Sequence, residues 1–210
     1  LIFGGGALFA LLEWNNPGTI GNLTPGGKIL ASLFQSVTLR TAGFASFNQD
    51  ALTEASKVLS DLLMFVGGSS GSTAGGVKTV TMGLVILSAV STMRGRRQVT
   101  VFGRSISQED ISNAVSVALL VMGLSLLGAA VITVCDGCSF MNAIYETISA
   151  LCTVGLTTGI TPTLCTASKL ILIVFMFFGR VGIMTIGVGF MMGDRAKERV
   201  QYAQTKVMIG

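Results

Sequence analysis

Thr41-Ala42-Gly43-Phe44 and Thr153-Val154-Gly155-Leu156 decide how this chain folds. Each stretch follows a moderately apolar segment too short to cross a bilayer, and each precedes a long apolar segment that could cross. A chain that enters a membrane, turns at a glycine and leaves must aim its unpaired carbonyls at water or at an ion. Carbonyls held that way can replace the hydration shell of a monovalent cation. The pair predicts an all-α integral membrane fold of two parallel helix–pore-helix–helix repeats, each turn laid out as half of an ion-selectivity filter.

The repeat survives simple arithmetic. The two turn glycines lie 155 − 43 = 112 positions apart. The same offset places Phe140 on Lys28, Ala143 on Ala31, Leu151 on Leu39, Thr153 on Thr41, Phe177 on Phe65 and Gly179 on Gly67, with no gap. Both copies run in one direction, so the relating axis lies along the membrane normal. Two turns cannot ring an ion, and four are the usual number. Either a preceding half of a longer protein supplies two more turns, or two such chains dimerise. The chain begins inside an apolar run without an initiator methionine, so an upstream part is expected.

Composition points to the same compartment. Half the residues are hydrophobic and 11% are charged, against about 25% charged in a soluble domain. A formal charge of +4 does not indicate nucleic acid, because the basic residues sit at the ends of apolar segments. Arg94, Arg96, Arg97 and Arg104 form one group, and Arg195, Lys197, Arg199 and Lys206 another. The positive-inside rule makes both cytoplasmic and puts the turns on the outer side.

Four segments follow. Residues 1–93 form the first repeat, 94–110 a basic linker, 111–193 the second repeat and 194–210 a polar tail. Residues 1–14 are apolar and end at Glu13-Trp14, which reads as an interfacial anchor. An outer loop of Asn15 to Gly27 leads to a short amphipathic helix over 28–39. A helical pattern then runs from about Leu52 to Met93. Unbroken, it would be about 63 Å long at about 1.5 Å per residue, twice the roughly 30 Å hydrocarbon core. It must break at Gly67-Gly68-Ser69-Ser70-Gly71-Ser72-Thr73-Ala74-Gly75-Gly76. Ser107 reads as an N-cap with Glu109 and Asp110 in the first turn of the next helix. Residues 111–134 span, Ser139 to Leu151 form the second short helix, and 168–192 span again.

The Gly/Ser segment is not a phosphate loop. Gly75-Gly76-Val77-Lys78-Thr79 lacks the adjacent Gly-Lys-Ser/Thr, and no strand precedes it. Irregular backbone at membrane depth needs water or protein partners, so the segment reads as a mobile gate beneath the turns. Arg180 is expected in the middle of the last spanning helix, where a charge costs about 2.5–3.5 kcal/mol on insertion scales. The offset aligns it with Gly68, so it is expected level with the gate as a pore charge. Lys78 is a second pore charge or a snorkelling lysine. Arg40 is expected to bind the end of the short helix, or Glu146 or Asp50. Cys135 and Cys138 form a C-x-x-C without further zinc ligands. They read as small residues or an outer disulfide, and Cys152 and Cys165 as packing residues. No histidine is present, which removes the commonest general base and metal ligand. With few acids inside the spans, an enzyme is not expected.

At Arg40-Thr41-Ala42-Gly43-Phe44, the Gly67–Gly76 segment with Lys78-Thr79, Cys152-Thr153-Val154-Gly155-Leu156-Thr157 and Phe178-Gly179-Arg180-Val181-Gly182, the chain resembles the Trk/Ktr/HKT superfamily of potassium transporters. Within it the match is to the C-terminal half of bacterial Ktr-type (KtrB-like, NtpJ-type) pore subunits. Met208-Ile209-Gly210 resembles that family's C-terminus. The resemblance implies the third and fourth of four repeats and a multi-pass protein of the bacterial plasma membrane. It implies potassium as substrate, with sodium as coupling or activating ion, and no other cofactor. A homodimer and a cytoplasmic RCK-type nucleotide-binding ring are the implied partners. It carries Gly43 and Gly155 onto filter glycines, the Gly67–Gly76 segment onto an intramembrane gating loop and Arg180 onto the arginine of the last helix. The alternatives are a Trk-type proton- or potential-driven transporter and a non-conducting membrane interaction subunit. A tetrameric potassium channel would carry one repeat and a fuller Thr-Val-Gly-Tyr-Gly.

Overall fold

A computed structural model describes residues 1–69, 71–72, 74–95, 99–101 and 104–182. Ser70, Thr73, Arg96, Arg97, the end of the last expected span at 183–193 and the tail 194–210 with its basic residues lie outside the described residues. Among the described residues seven α-helices carry the fold: α1 (Ile2–Glu13), α2 (Pro25–Thr38), α3 (Glu54–Phe65), α4 (Thr79–Met93), α5 (Gln108–Asp136), α6 (Phe140–Leu151) and α7 (Thr166–Val181). Strands β1 (Thr100–Val101) and β2 (Arg104–Ser105) pair antiparallel in the 94–110 segment, which the sequence reading treats as plain linker.

α6 is the hub and packs against α3, α5 and α7, while α2 packs on α1 and α4 on α5. Tyr145, Leu151, Leu39, Met64 and Ile132 are fully enclosed. Close approach of α5 and α7 depends on Gly128, where a Cβ would lie 2.8 Å from Phe175 Cζ. The outward surface stays apolar: Leu30, Leu119, Leu127 and Phe177 are all more than half exposed, as a lipid-facing surface requires. Among the described residues, α5 is the one helix long and apolar enough to cross a bilayer.

Helix ends follow capping chemistry. Ser107 Oγ accepts from Asp110 N at 3.1 Å and starts α5. Thr24 caps α2 with Pro25 at its first position, so that helix begins three residues before the Lys28 expected from the apolar pattern. Thr53 caps α3 through Ser56 N, and Cys165 caps α7 through Ser168 N. Cys165 is therefore a cap rather than a packing residue, and both cap pairs are 165 − 53 = 168 − 56 = 112 positions apart. The 3-10 turns Gln49–Ala51 and Thr161–Thr163 share that offset.

Glu13 is not an interfacial anchor. It is completely buried and accepts from Asn16 Nδ2 (2.6 Å), Thr19 Oγ1 (2.7 Å), Thr53 N (2.9 Å) and Thr53 Oγ1 (2.7 Å). Four donors make a buried carboxylate tolerable, and this one bolts the end of α1 to the start of α3. Asp136 does the same between α5 and α7, accepting from Cys165 N at 2.6 Å and from Ser168 Oγ. Cys135 and Cys138 are both free thiols.

Candidate functional site

The short helices α2 and α6 each run into one of the glycine turns. In the first turn Thr41 has φ 71° and Gly43 φ 75°; in the second Thr153 has φ 57° and Gly155 φ 87°. Glycine takes such angles freely, whereas a β-branched threonine does so at a cost. Each turn is tied back to its helix. Thr38 Oγ1 donates to Phe44 O (2.7 Å) and accepts from Phe44 N (2.8 Å), and Ser149 Oγ donates to Leu156 O (2.5 Å).

The two turns touch. A Cβ built on Gly43 would overlap Val154 O and lie 3.7 Å from Gly155 Cα. The surroundings differ between them: Val154 and Leu156 are buried, whereas Ala42 and Phe44 are exposed. Behind the contact, buried side chains cross-link the two halves. Gln35 Nε2 donates to Gln49 Oε1 at 2.6 Å, and Tyr145 OH donates to the same oxygen at 3.1 Å. Lys57 Nζ donates to Asn142 Oδ1 at 2.9 Å and bridges to Asp50 at 3.4 Å.

The long helical pattern does break at the glycine segment, between the end of α3 at Phe65 and the start of α4 at Thr79. Gly67, Gly68 and Gly75 are buried, and Ser69, Gly71 and Ser72 exposed. The segment presses on the second turn. A Cβ on Gly75 would lie 2.8 Å from Cys152 O, and one on Gly76 3.1 Å from Cys152 Cβ. Lys78 Nζ donates to Ser72 O at 2.9 Å and to Ala74 O.

Arg180 occupies the last turn of α7, not the middle of a helix, because Gly182 departs from helical geometry at φ 93°. It borders two cavities. One, of about 280 Å³, is lined by Ala74, Gly75, Gly76 and Lys78; the other, of about 580 Å³, by Thr153, Gly155, Glu146 and Leu172. Arg40 departs from expectation. Its Nη2 donates to Gly67 O at 3.1 Å, and Asp50 is paired with Lys57. Glu146 is engaged elsewhere, by Thr157 Oγ1 (2.5 Å), Thr158 N (2.9 Å) and Thr161 Oγ1 (2.9 Å). Three features escaped the sequence reading: the Arg40–Gly67 bond, the Glu146 staple and the polar cross-link through Gln49. None has a local signature, since each joins residues well separated along the chain.

Residues 5–198 match the TrkH family, described as cation transport protein. The chain belongs to the TrkH family. It is 39% identical over 200 residues to Ktr system potassium uptake protein B of Bacillus subtilis, covering 95% of this chain and 44% of that one. It is 34% identical to potassium/sodium uptake protein NtpJ of Enterococcus hirae, covering 100% and 48%. The TrkH family chain thus spans about half the length of the relatives it matches. The crystal structure of the potassium transporter TrkH from Vibrio parahaemolyticus superposes with a TM-score of 0.74 at 22% identity, over 89% of this chain and 42% of that one. A mostly helical TrkH-like fold is common to both, and membership of a cation transport family places this TrkH family member in the membrane.

Proposed function

We propose that this chain forms half of a potassium-uptake pore, built as two parallel repeats that are the third and fourth of four. Thr41–Phe44 and Thr153–Leu156 supply half of the filter oxygens. The Gly67–Gly76 segment is the gate beneath them, and Arg180 with Lys78 are the charges at its level. One observation carries the reading: the turns meet at Gly43 and Val154–Gly155 with left-handed angles at matching positions. Alternating backbone of that kind suits carbonyls that must face a common axis. Neither α2 nor α6 has a basic residue in its last turn, which leaves their C-terminal partial negative charge available to a cation.

The names of two relatives, potassium uptake and potassium/sodium uptake, support potassium as substrate; sodium is proposed as the coupling or activating ion. A homodimer, a cytoplasmic RCK-type regulatory ring, a cytoplasmic 94–110 segment and outward-facing turns complete the proposal. The test is uptake by the intact protein in a potassium-uptake-deficient host. Gly155→Ser, at a position with open space around a Cβ, should lower potassium-over-sodium preference at least about tenfold while abundance holds. A tenfold change in preference corresponds to about 1.4 kcal/mol of lost discrimination between the two ions. Unchanged preference sinks the filter assignment.

A further inference from the structure

The Gly67–Gly76 segment is fastened by three separate sets of bonds. Its neck is stitched to itself: Gly67 N donates to Val77 O (2.9 Å), Val77 N to Phe65 O (3.2 Å) and Thr79 N to Gly68 O (3.2 Å). Its tip hangs from Lys78 through Ser72 O and Ala74 O. The remaining two bonds leave the segment, and each ends on a different turn. Arg40, the residue before Thr41, donates from Nη2 to Gly67 O at 3.1 Å. Gly75 N donates to Thr153 Oγ1 at 3.0 Å. Gly67 and Gly75 oppose one another so closely that a Cβ on Gly67 would overlap Gly75 O. One strand of the neck is thus tied to each turn.

We propose that Arg40 is a positioning residue that couples the first turn to the gate, so that ion occupancy of the turns and the state of the segment are linked. The inference rests on the gate reading above. Arg40 Nε is buried without a partner among the described residues, so the guanidinium sits where solvent screening is weak and its charge-assisted bond to Gly67 O is strong. A displacement at Thr41 passes through one covalent link and that bond into a stiff, stitched neck. Linkage is reciprocal: whatever fixes the neck also fixes the turn.

The test compares the intact protein in liposomes in four forms: wild type, Arg40→Gln, a deletion of residues 68–75, and both together. The deletion raises resting potassium flux. Arg40→Gln alone raises it about tenfold, as expected for loss of a charge-assisted bond that favours the closed state, and adds nothing in the deleted background. Arg40→Lys, which keeps a donor without the fork, falls between wild type and Arg40→Gln and serves in its place should that variant not fold. A second readout does not need flux. A cysteine at Ser72, with Cys135, Cys138 and Cys165 replaced by serine, is labelled by a water-soluble maleimide at a rate that changes with potassium concentration. Arg40→Gln abolishes that dependence. Equal effects of Arg40→Gln in both backgrounds, or a labelling rate whose potassium response survives the substitution or is missing in the wild type, overturns the coupling. A deletion that leaves flux unchanged defeats the gate reading instead, and the labelling readout still decides the role of Arg40.

Discussion

Thr41 and Thr153, 153 − 41 = 112 positions apart, both have left-handed backbone angles, and no other non-glycine residue among those described does. A left-handed angle costs an L-residue about 1–2 kcal/mol. Such positions persist where the surroundings over-determine them, and they gather at ligand clamps. Here the surroundings are visible: Thr153 Oγ1 receives Gly75 N, and the residue before Thr41 holds Gly67 O. The strain in the turns and the seating of the glycine segment are parts of one arrangement.

The two turn glycines should respond differently to the same side chain. At Gly155 the space is open, so serine meets only the cost of φ 87°, about 1–2 kcal/mol. At Gly43 a Cβ also overlaps Val154 O, which adds an overpacking cost of about 1–3 kcal/mol. Thermal unfolding of the intact protein in detergent should show Gly43→Ser several degrees below Gly155→Ser. Equal melting temperatures would mean that the turns do not touch.

Lys78 should act as the latch of the segment's tip. Its ammonium meets Ser72 O and Ala74 O, and hydrogen bonds to charged groups contribute about 1.5–3 kcal/mol. Lys78 is partly exposed, so the lower end applies. Lys78→Met keeps the stem and loses the donors. Resting flux should rise roughly tenfold, since about 1.4 kcal/mol is a factor of ten. Flux at or below wild type would show that Lys78 only holds the start of α4.

Much of this was legible because local chemistry dictated it. A glycine-rich run cannot continue a helix, so the break between α3 and α4 follows from residues 67–76 alone. Ser107 caps α5 because serine three residues before an acid does so almost anywhere. What escaped was non-local. Glu13 sits beside Trp14 at the end of an apolar run, a pattern that suits a membrane edge. Its burial depends on Thr53, forty positions on. Arg40 could pair with any nearby acid on sequence grounds, but the path of the first turn delivers it to a carbonyl. The paired strands β1 and β2 have two residues each, too few to leave an alternation in the sequence.

Glu146 should stabilise the exit of the second turn. Its carboxylate gathers donors from Thr157, Thr158 and Thr161 while being almost wholly buried. Glu146→Ala leaves the Thr158 backbone N–H and the hydroxyls of Thr157, Thr158 and Thr161 to find other partners, at about 1–3 kcal/mol for each group left unsatisfied. Amide hydrogen exchange of residues 157–161 should speed up more than tenfold, with α5 far less affected. Exchange that rises equally throughout would indicate global destabilisation rather than a local staple.

Asp61 makes the opposite case. It lies in α3 at 8% exposure, and its Oδ1 is buried with no hydrogen-bond partner among the described residues. Lys57, one turn earlier, is directed instead to Asn142 and Asp50. The side chain borders a groove of about 280 Å³ lined by Leu62, Phe65, Met122, Ile144 and Ile148. A buried acceptor left without a donor costs about 1–3 kcal/mol, which an apolar residue of similar size avoids. Asp61→Leu should therefore raise the melting temperature of the intact protein by a few degrees, corresponding to about 1–2 kcal/mol. If transport falls while stability rises, Asp61 is kept for activity at the expense of the fold. If the melting temperature falls, the oxygen has a partner in the full assembly, supplied by chain beyond these residues.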